Sequence, residues 1–251
     1  PGTLRDHELV LADLGLDGEG KGVLVGVRSR PELGGAEVDA LCVDAQGAPR
    51  GARIRVDAGT ISAASRVPSY ARVATASDGT SVVVWQESPR DSSIPPSVYF
   101  RRLLADCTPT GNVGSLGAVG VVGRREPHVA RRSDGGFVLA FVEDDQLSSL
   151  HVAAQRFDAS GAALAPSFAV SQSDPQPSDP SVAVASDGRF AVVWTTYGPP
   201  GAHTPAGSTT GVAGRVFAAD GSAAGGELAL RLPRPQTAGV SAVAVRASLG
   251  G

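Results

Sequence analysis

The chain has 251 residues and a net charge of −3, and 42% of its residues are hydrophobic whereas 5% are aromatic. This hydrophobic fraction excludes a disordered chain. No stretch approaches the roughly 20 consecutive apolar residues of a membrane-spanning helix, so we expect no membrane span. The small net charge offers no clustered basic face, so we expect no nucleic-acid partner.

The first residue is Pro1, and the chain contains no methionine. We therefore expect a processed product or a piece of a longer protein. Lys21 is the single lysine among 22 basic residues. This preference for arginine, together with abundant alanine and glycine, is typical of a GC-rich bacterial genome, and it predicts a bacterial source.

An internal repeat is the strongest signal in the sequence, and repeats decide the architecture of a chain that carries them. The dipeptide Asp-Gly recurs with similar surroundings at four positions: Asp17, Asp78, Asp134 and Asp187. In the last three copies an aromatic residue follows seven positions after the aspartate, at Trp85, Phe141 and Trp194. The first copy is looser and lacks this aromatic residue.

A second block follows each Asp-Gly segment and ends at a glycine in three copies, at Gly47, Gly161 and Gly221. In the second copy the next glycine is Gly111, which predicts a longer turn there. Because glycine accepts the backbone angles of tight turns, each block reads as a strand followed by a turn.

The fourth copy illustrates the predicted strands, which cover Val182 to Ala185, Phe190 to Trp194, Val212 to Phe217 and Glu227 to Leu230. Asp187-Gly188 predicts a two-residue hairpin with a type I′ turn. Phe190, Val192 and Trp194 fall on one face of their strand, and the opposite face is apolar too. Both faces are therefore expected to be covered.

Four antiparallel strands per repeat, buried on both faces, predict an all-β chain with a β-propeller-like array of blades. The alternative is a β-sandwich with accidental self-similarity. We place the repeats within one domain at 1–59, 60–123, 124–173 and 174–232, and the first strand of a fifth repeat at 233–251. That strand, Val240 to Val245, has no evident partner, so a longer parent array or pairing with another subunit is expected.

The blocks Asp134 to Val138 and Ala154 to Gly161 resemble tandem repeats of large secreted or surface proteins of bacteria. Those repeats combine Asp-Gly-Gly-Phe-Val-Val-x-Trp with Ala-Gln-Arg-Phe-Asp-x-x-Gly. Trp85 and Trp194 occupy the aromatic position, where Phe141 is the substitute. The resemblance implies a propeller-like fold and a secreted or cell-surface location, and it implies no reaction.

Cys42 and Cys107 are the only cysteines and are predicted on neighbouring blades. A secreted protein would join them if their Cα atoms lie within about 7 Å, and two free or buried thiols are the alternative. Two cysteines without a supporting histidine pair do not make a zinc site.

The loops after the second strands share one face of the predicted array and are the candidate ligand-binding region. We expect no cofactor, although carboxylates converging there could hold Ca²⁺ or form a glycosidase acid/base pair. A solvated, purely structural surface is the alternative. The candidate residues are Arg90, Asp91, Glu143, Asp144, Asp145, Tyr197 and His203.

These observations favour a non-catalytic structural or adhesive protein outside the bacterial cell, a subunit of a surface assembly or filament whose partners are other subunits or surface glycans. The strand from Val240 to Val245 is the candidate element for self-assembly. A carbohydrate-binding lectin is the first alternative. A glycoside hydrolase with converging carboxylates is the second.

Overall fold

The computed structural model describes residues 9–30, 35–58, 66–91, 93–116, 123–144, 150–172, 176–197 and 209–231. It divides into two compact units, Pro1–Ala118 and Val119–Gly251. Each unit contains two antiparallel four-stranded sheets, which we call blades 1 to 4 in chain order. The predicted fifth-repeat strand, Val240 to Val245, lies outside the described residues.

Unit 1 holds blades 1 and 2, and within each blade the strands pair in sequence order. Blade 1 contains β1 (Leu9–Leu16), β2 (Gly22–Arg30), β3 (Gly35–Val43) and β4 (Ile54–Arg55). Blade 2 contains β5 (Arg66–Thr75), β6 (Ser81–Pro89), β7 (Ser97–Leu103) and β8 (Pro109–Leu116). The core of this unit packs valines of both blades around Trp85.

Unit 2 repeats this arrangement with blades 3 and 4. Blade 3 contains β9 (Gly123–Arg131), β10 (Phe137–Asp144), β11 (Leu150–Phe157) and β12 (Phe168–Ala169). Blade 4 contains β13 (Pro177–Val184), β14 (Phe190–Tyr197), β15 (Thr209–Phe217) and β16 (Leu228–Arg231). Its core includes Phe190 and Trp194.

The predicted all-β architecture of four-stranded antiparallel blades is confirmed. In β14, Phe190, Val192 and Trp194 are buried, whereas Ala191 and Val193 are partly buried. Burial on both faces explains why these strands are apolar almost throughout rather than alternating. Among the described residues, no helix is long and apolar enough to cross a membrane.

The hairpin turns differ from the predicted type I′ form. In the turn from Ala185 to Arg189, the Ala185 N–H donates to the Arg189 carbonyl and the Gly188 N–H donates to the Ala185 carbonyl. Gly188 has a φ of 84°, and Asp187 is not among the residues with positive φ. This is a three-residue loop that ends in one left-handed residue, and a type I turn precedes that residue.

In the described part of the chain, the same pair of hydrogen bonds closes eight turns, two in each blade: 17–21, 44–48, 76–80, 104–108, 132–136, 158–162, 185–189 and 218–222. In seven of them the left-handed residue is glycine. Two repeat assignments therefore need correction. Gly20 rather than Gly18 holds the left-handed position in copy one, and Cys107, with a φ of 70°, holds it in copy two. The turn that was expected to extend to Gly111 has ordinary length.

The two turns of a blade lie against each other, which explains an alanine that recurs in the second turn. A Cβ atom on Gly79 would lie 3.0 Å from the Cβ of Ala105, and one on Gly188 would lie 3.0 Å from the Cβ of Ala219. Glycine is thus required in the first turn both for its φ and for this close approach.

Cys42 and Cys107 are joined by a disulfide, and their Cα atoms are 6.3 Å apart. The bond links β3 of blade 1 to the second turn of blade 2. Both side chains are buried in the core of unit 1. The disulfide therefore ties the two blades of this unit to each other.

Candidate active site

The first strand of every blade contains a β-bulge at the same place. The pairing with the second strand slips between Val10 and Asp13, between Ser69 and Arg72, between residues opposite Ala140 and Val142, and between Ser178 and Ser181. Two residues of the first strand then lie opposite one residue of the second. Bulges re-aim side chains and are frequent beside active sites.

In blades 2, 3 and 4 the first bulge residue adopts a left-handed backbone. The φ angles are 51° for Tyr70, 54° for Glu126 and 47° for Asp179. This conformation is unfavourable for a residue with a side chain by about 1–3 kcal/mol, and such strain clusters at functional sites. Three chemically active side chains thus occupy equivalent strained positions.

Two of these residues lie together in unit 2. The backbone N–H of Asp179 donates to Oε2 of Glu126 at 2.8 Å, which links the bulge of β13 to the bulge of β9. Glu126 is partly buried, whereas Asp179 is exposed. Two carboxyl groups in different environments therefore lie at neighbouring positions on adjacent first strands.

Burial raises the pKa of Glu126 above its ordinary value. The hydrogen bond from the Asp179 backbone lowers this pKa, the negative charge of Asp179 raises it, and the positive charge of Arg125 lowers it. Desolvation has the largest effect, so the net direction is upward. Glu126 therefore retains its proton to a higher pH than an ordinary glutamate, which suits a general acid.

A partly buried ionic row lies beside the Glu126 bulge and includes Arg124, two residues before Glu126 on the same strand. Nε of Arg124 donates to Oε1 of Glu143 at 2.8 Å, and Nε2 of His151 lies 3.0 Å from Oε2 of the same carboxylate. These three residues face one another across β9, β10 and β11. The row links β9, β10 and β11 beside the bulge that contains Glu126.

Burial of Glu143 favours its neutral form, but the hydrogen bonds with His151 and Arg124 outweigh this effect. The pKa of Glu143 is consequently lowered, and the carboxylate stays ionised as a structural ion-pair partner. Glu143, which the sequence placed among the ligand-face residues, is thus held within the sheet by its neighbours.

The other predicted loop residues have varied surroundings. Asp144 is half-exposed and lies 3.9 Å from Arg125. Asp91 of unit 1 caps a turn by accepting from the backbone and side chain of Ser93, which lowers its pKa. Arg90 is exposed beside it.

Tyr197 is the last residue of β14, where its backbone pairs with Thr209. Asp145 and His203 lie outside the described residues. Within the described ranges, no group of three or more His, Cys, Asp or Glu side chains is placed to hold a metal ion.

Glu126 and Asp179 were missed at the level of sequence, although the sequence carries a signal for them. Each lies eight residues before the aspartate of a Ser-Asp-Gly turn, and each directly precedes a proline. A residue before proline is expected to be extended. The left-handed φ at these two positions is therefore visible only in the structure.

Comparison with known proteins shows that this chain is similar to other proteins in its fold. No family model matches the chain, and no curated protein sequence matches it. Among solved structures, the GH93 α-L-arabinofuranosidase of Fusarium graminearum with arabinobiose aligns with a TM-score of 0.65 and 14% identity over 92% of this chain and 68% of that one.

Two further structures are similar. A Hadza microbial sialidase has a TM-score of 0.61 at 10% identity over 90% of this chain, which spans 46% of the sialidase. The α-L-arabinanase of Penicillium chrysogenum complexed with arabinobiose has a TM-score of 0.54 at 11% identity, with coverage of 88% and 77%. The chain thus has the all-β, propeller-like fold of these proteins.

These comparisons contradict the expectation of a non-catalytic structural or adhesive protein. The three similar structures described above are carbohydrate-cleaving enzymes, and none of them is a structural or adhesive protein. The expectation that the chain is not an enzyme is withdrawn on the same ground.

Proposed function

We propose that the chain is a glycoside hydrolase in which Glu126 is the general acid and Asp179 is the second catalytic carboxylate. The observation that carries this proposal is the pairing of the two bulge residues, with Oε2 of Glu126 2.8 Å from the Asp179 nitrogen. Glycoside cleavage uses two carboxyl groups that flank the scissile bond.

The different surroundings of the two groups support different roles. Burial raises the pKa of Glu126, so this group keeps its proton to a higher pH than an ordinary glutamate and is suited to donate it to the leaving oxygen of the glycosidic bond. Exposed Asp179 is the second carboxylate. It either acts as the base that activates water or attacks the sugar as the nucleophile, and in both cases its negative charge stabilises the oxocarbenium-like transition state.

The fold likeness supports a glycan as the substrate. The similar structures include an arabinofuranosidase and an arabinanase, both with arabinobiose, as well as a sialidase. We infer that a surface or polymeric glycan is the substrate class. The disulfide between Cys42 and Cys107 supports an oxidising, extracellular location, because such bonds are rare in the cytosol.

The test is hydrolysis by the whole chain of arabinan, galactan and aryl glycosides of arabinofuranose and sialic acid. We expect Glu126→Gln and Asp179→Asn to lower kcat by about 10²–10⁴-fold, the usual contribution of acid–base catalysis. Both substitutions preserve side-chain shape, and asparagine tolerates a left-handed backbone.

Asp187→Asn is the matched control, because Asp187 is an exposed carboxylate that accepts from its own turn. This variant should cleave the substrate at the rate of the unmodified chain. Equal activity in Asp187→Asn and Glu126→Gln would remove Glu126 from the mechanism. Absence of hydrolysis for every substrate by the folded chain would contradict the proposed function.

A further inference from the structure

A second hydrogen bond joins the first strands of unit 2. Besides the contact between Asp179 and Glu126, the backbone N–H of Val182 donates to Nδ1 of His128 at 3.3 Å. His128 follows the β9 bulge directly, and Val182 is the second residue after the β13 bulge. The contact therefore lies two residues after Glu126 on β9 and three residues after Asp179 on β13.

Unit 1 contains an equivalent contact with a different acceptor. The backbone N–H of Val73 donates to Oδ2 of Asp13 at 2.9 Å. Asp13 follows the β1 bulge as His128 follows the β9 bulge, and Val73 corresponds to Val182. A side-chain acceptor at this position therefore joins adjacent first strands in both units. The acceptor is Asp13 in unit 1 and His128 in unit 2, where Glu126 and Asp179 lie nearby.

On the basis of the proposed function, we propose that His128 is the positioning residue that holds Asp179 at its working distance from Glu126. Its acceptor fixes the Val182 amide three residues beyond Asp179 on the same short strand. Loss of this acceptor would leave a partly buried N–H without its partner and allow β13 to shift. Catalytic groups misplaced by about 1 Å lose roughly 10²-fold in rate.

The residue type has a physical reason. Acceptance at Nδ1 requires a neutral imidazole whose proton lies on Nε2. An aspartate here, as in blade 1, would add a carboxylate two residues from Glu126, whose pKa already responds to the charges of Asp179 and Arg125. Histidine supplies the acceptor without adding a negative charge.

Three variants test this role. His128→Leu removes the acceptor, and we expect kcat to fall by about 10–100-fold with KM nearly unchanged, because the geometry of the reacting groups changes rather than substrate binding. His128→Asn returns an amide oxygen near the place of Nδ1 and should recover most of this loss. His128→Asp should also restore the hydrogen bond to Val182. Its additional negative charge should raise the pKa of the general acid and move the alkaline limb of the pH profile of kcat to higher pH.

Hydrogen exchange at the Val182 amide gives a readout that needs no activity. Exchange should accelerate in His128→Leu and remain slow in His128→Asn. Unchanged exchange in His128→Leu, or equal loss of kcat in the leucine and asparagine variants, would overturn the positioning role while leaving the proposed function intact. If the unmodified chain hydrolyses none of the glycans, the proposed function fails, and the exchange data still decide whether His128 joins the strands.

Discussion

The two units link their blades at the same structural position by different chemistry. In unit 1, Cys42 on the third strand of blade 1 is bonded to Cys107 in the second turn of blade 2. In unit 2, Arg156 occupies the position equivalent to Cys42, and its Nη1 donates to the Ala219 carbonyl at 2.8 Å in the second turn of blade 4. A covalent bond and a charge-assisted hydrogen bond thus serve as alternative joints.

The left-handed residue of that turn shows what each joint requires. Gly221, with a φ of 89°, adopts this conformation freely, and a Cβ there would lie 2.9 Å from Nε of Arg156. Cys107 adopts a φ of 70° with a side chain. This conformation costs roughly 1–2 kcal/mol, which the disulfide offsets. The turn geometry is therefore common to both units, whereas the linking chemistry is set by residues on each side of it.

The largest effect should follow from removal of the disulfide. Cys107→Gly breaks the bond but gives the turn the residue found in its seven counterparts. We expect the free energy of unfolding of unit 1 to fall by about 2–4 kcal/mol. Chemical denaturation without reductant measures this change. Unfolding of unit 1 is monitored by Trp85 fluorescence in a Trp194→Phe background.

Cys42→Ser is the matched variant, because it breaks the same bond and leaves a side chain at position 107. It should be less stable than Cys107→Gly by about 1 kcal/mol, the strain of a left-handed residue with a Cβ. Equal stabilities would show that the backbone of this turn carries no such strain.

The second prediction transfers the covalent joint to unit 2. Arg156→Cys combined with Gly221→Cys places two cysteines at the equivalent positions, with the same sequence separation of 65 residues as the natural pair. We expect a disulfide to form and to raise the unfolding free energy of unit 2 by about 1–2 kcal/mol relative to its reduced form. Thiol titration shows whether the disulfide forms. Denaturation monitored by Trp194 fluorescence in a Trp85→Phe background measures the stability of unit 2.

Each single cysteine variant is the control for the lost Arg156 contact and for the added side chain at 221. Persistence of two free thiols in the double variant under air oxidation would show that the two joints are not geometrically equivalent. The pair Arg156 and Gly221 would then match the pair Cys42 and Cys107 in sequence position but not in geometry.

The blade architecture could be predicted because it depends on local, periodic features. Apolar strands, Asp-Gly turns and the aromatic residues at Trp85, Phe141 and Trp194 recur at fixed offsets, and each specifies its strand independently. The finer turn geometry could not be predicted in this way. Cys107 replaces glycine at a left-handed position, and only the pair of hydrogen bonds around it shows that its turn matches the others.

The candidate site was harder to predict for a different reason. The sequence directed attention to charged loop residues such as Asp91 and Glu143, whose hydrogen bonds now show turn-capping and ion-pairing roles. Glu126 and Asp179 lie within strands, where alternation alone assigns them no special role. Their proximity depends on two bulges in different blades, and bulge register is a property of pairing that a single strand does not specify.

The smallest predicted effect concerns the pH dependence of unit 2. Because the folded-state pKa of Glu126 is raised, the folded form binds more protons than the unfolded form between the ordinary glutamate pKa and the raised value. Stability from this group is therefore present at acidic pH and lost as pH rises through that interval. Glu126→Gln removes the dependence, and its amide oxygen can still accept from Asp179.

We expect Glu126→Gln to match the unmodified chain near pH 4 and to be slightly more stable at pH 7, a gain in stability that accompanies its loss of activity. Denaturation followed by Trp194 in the Trp85→Phe background restricts the measurement to unit 2. Comparison between the two proteins at each pH is required, because Glu143 and Asp220 of unit 2 have lowered pKa values and add a pH dependence of their own. A stability difference that grows toward acidic pH would show that Glu126 is stabilised in its ionised form, and such a group would be a carboxylate base rather than the proton donor of the reaction.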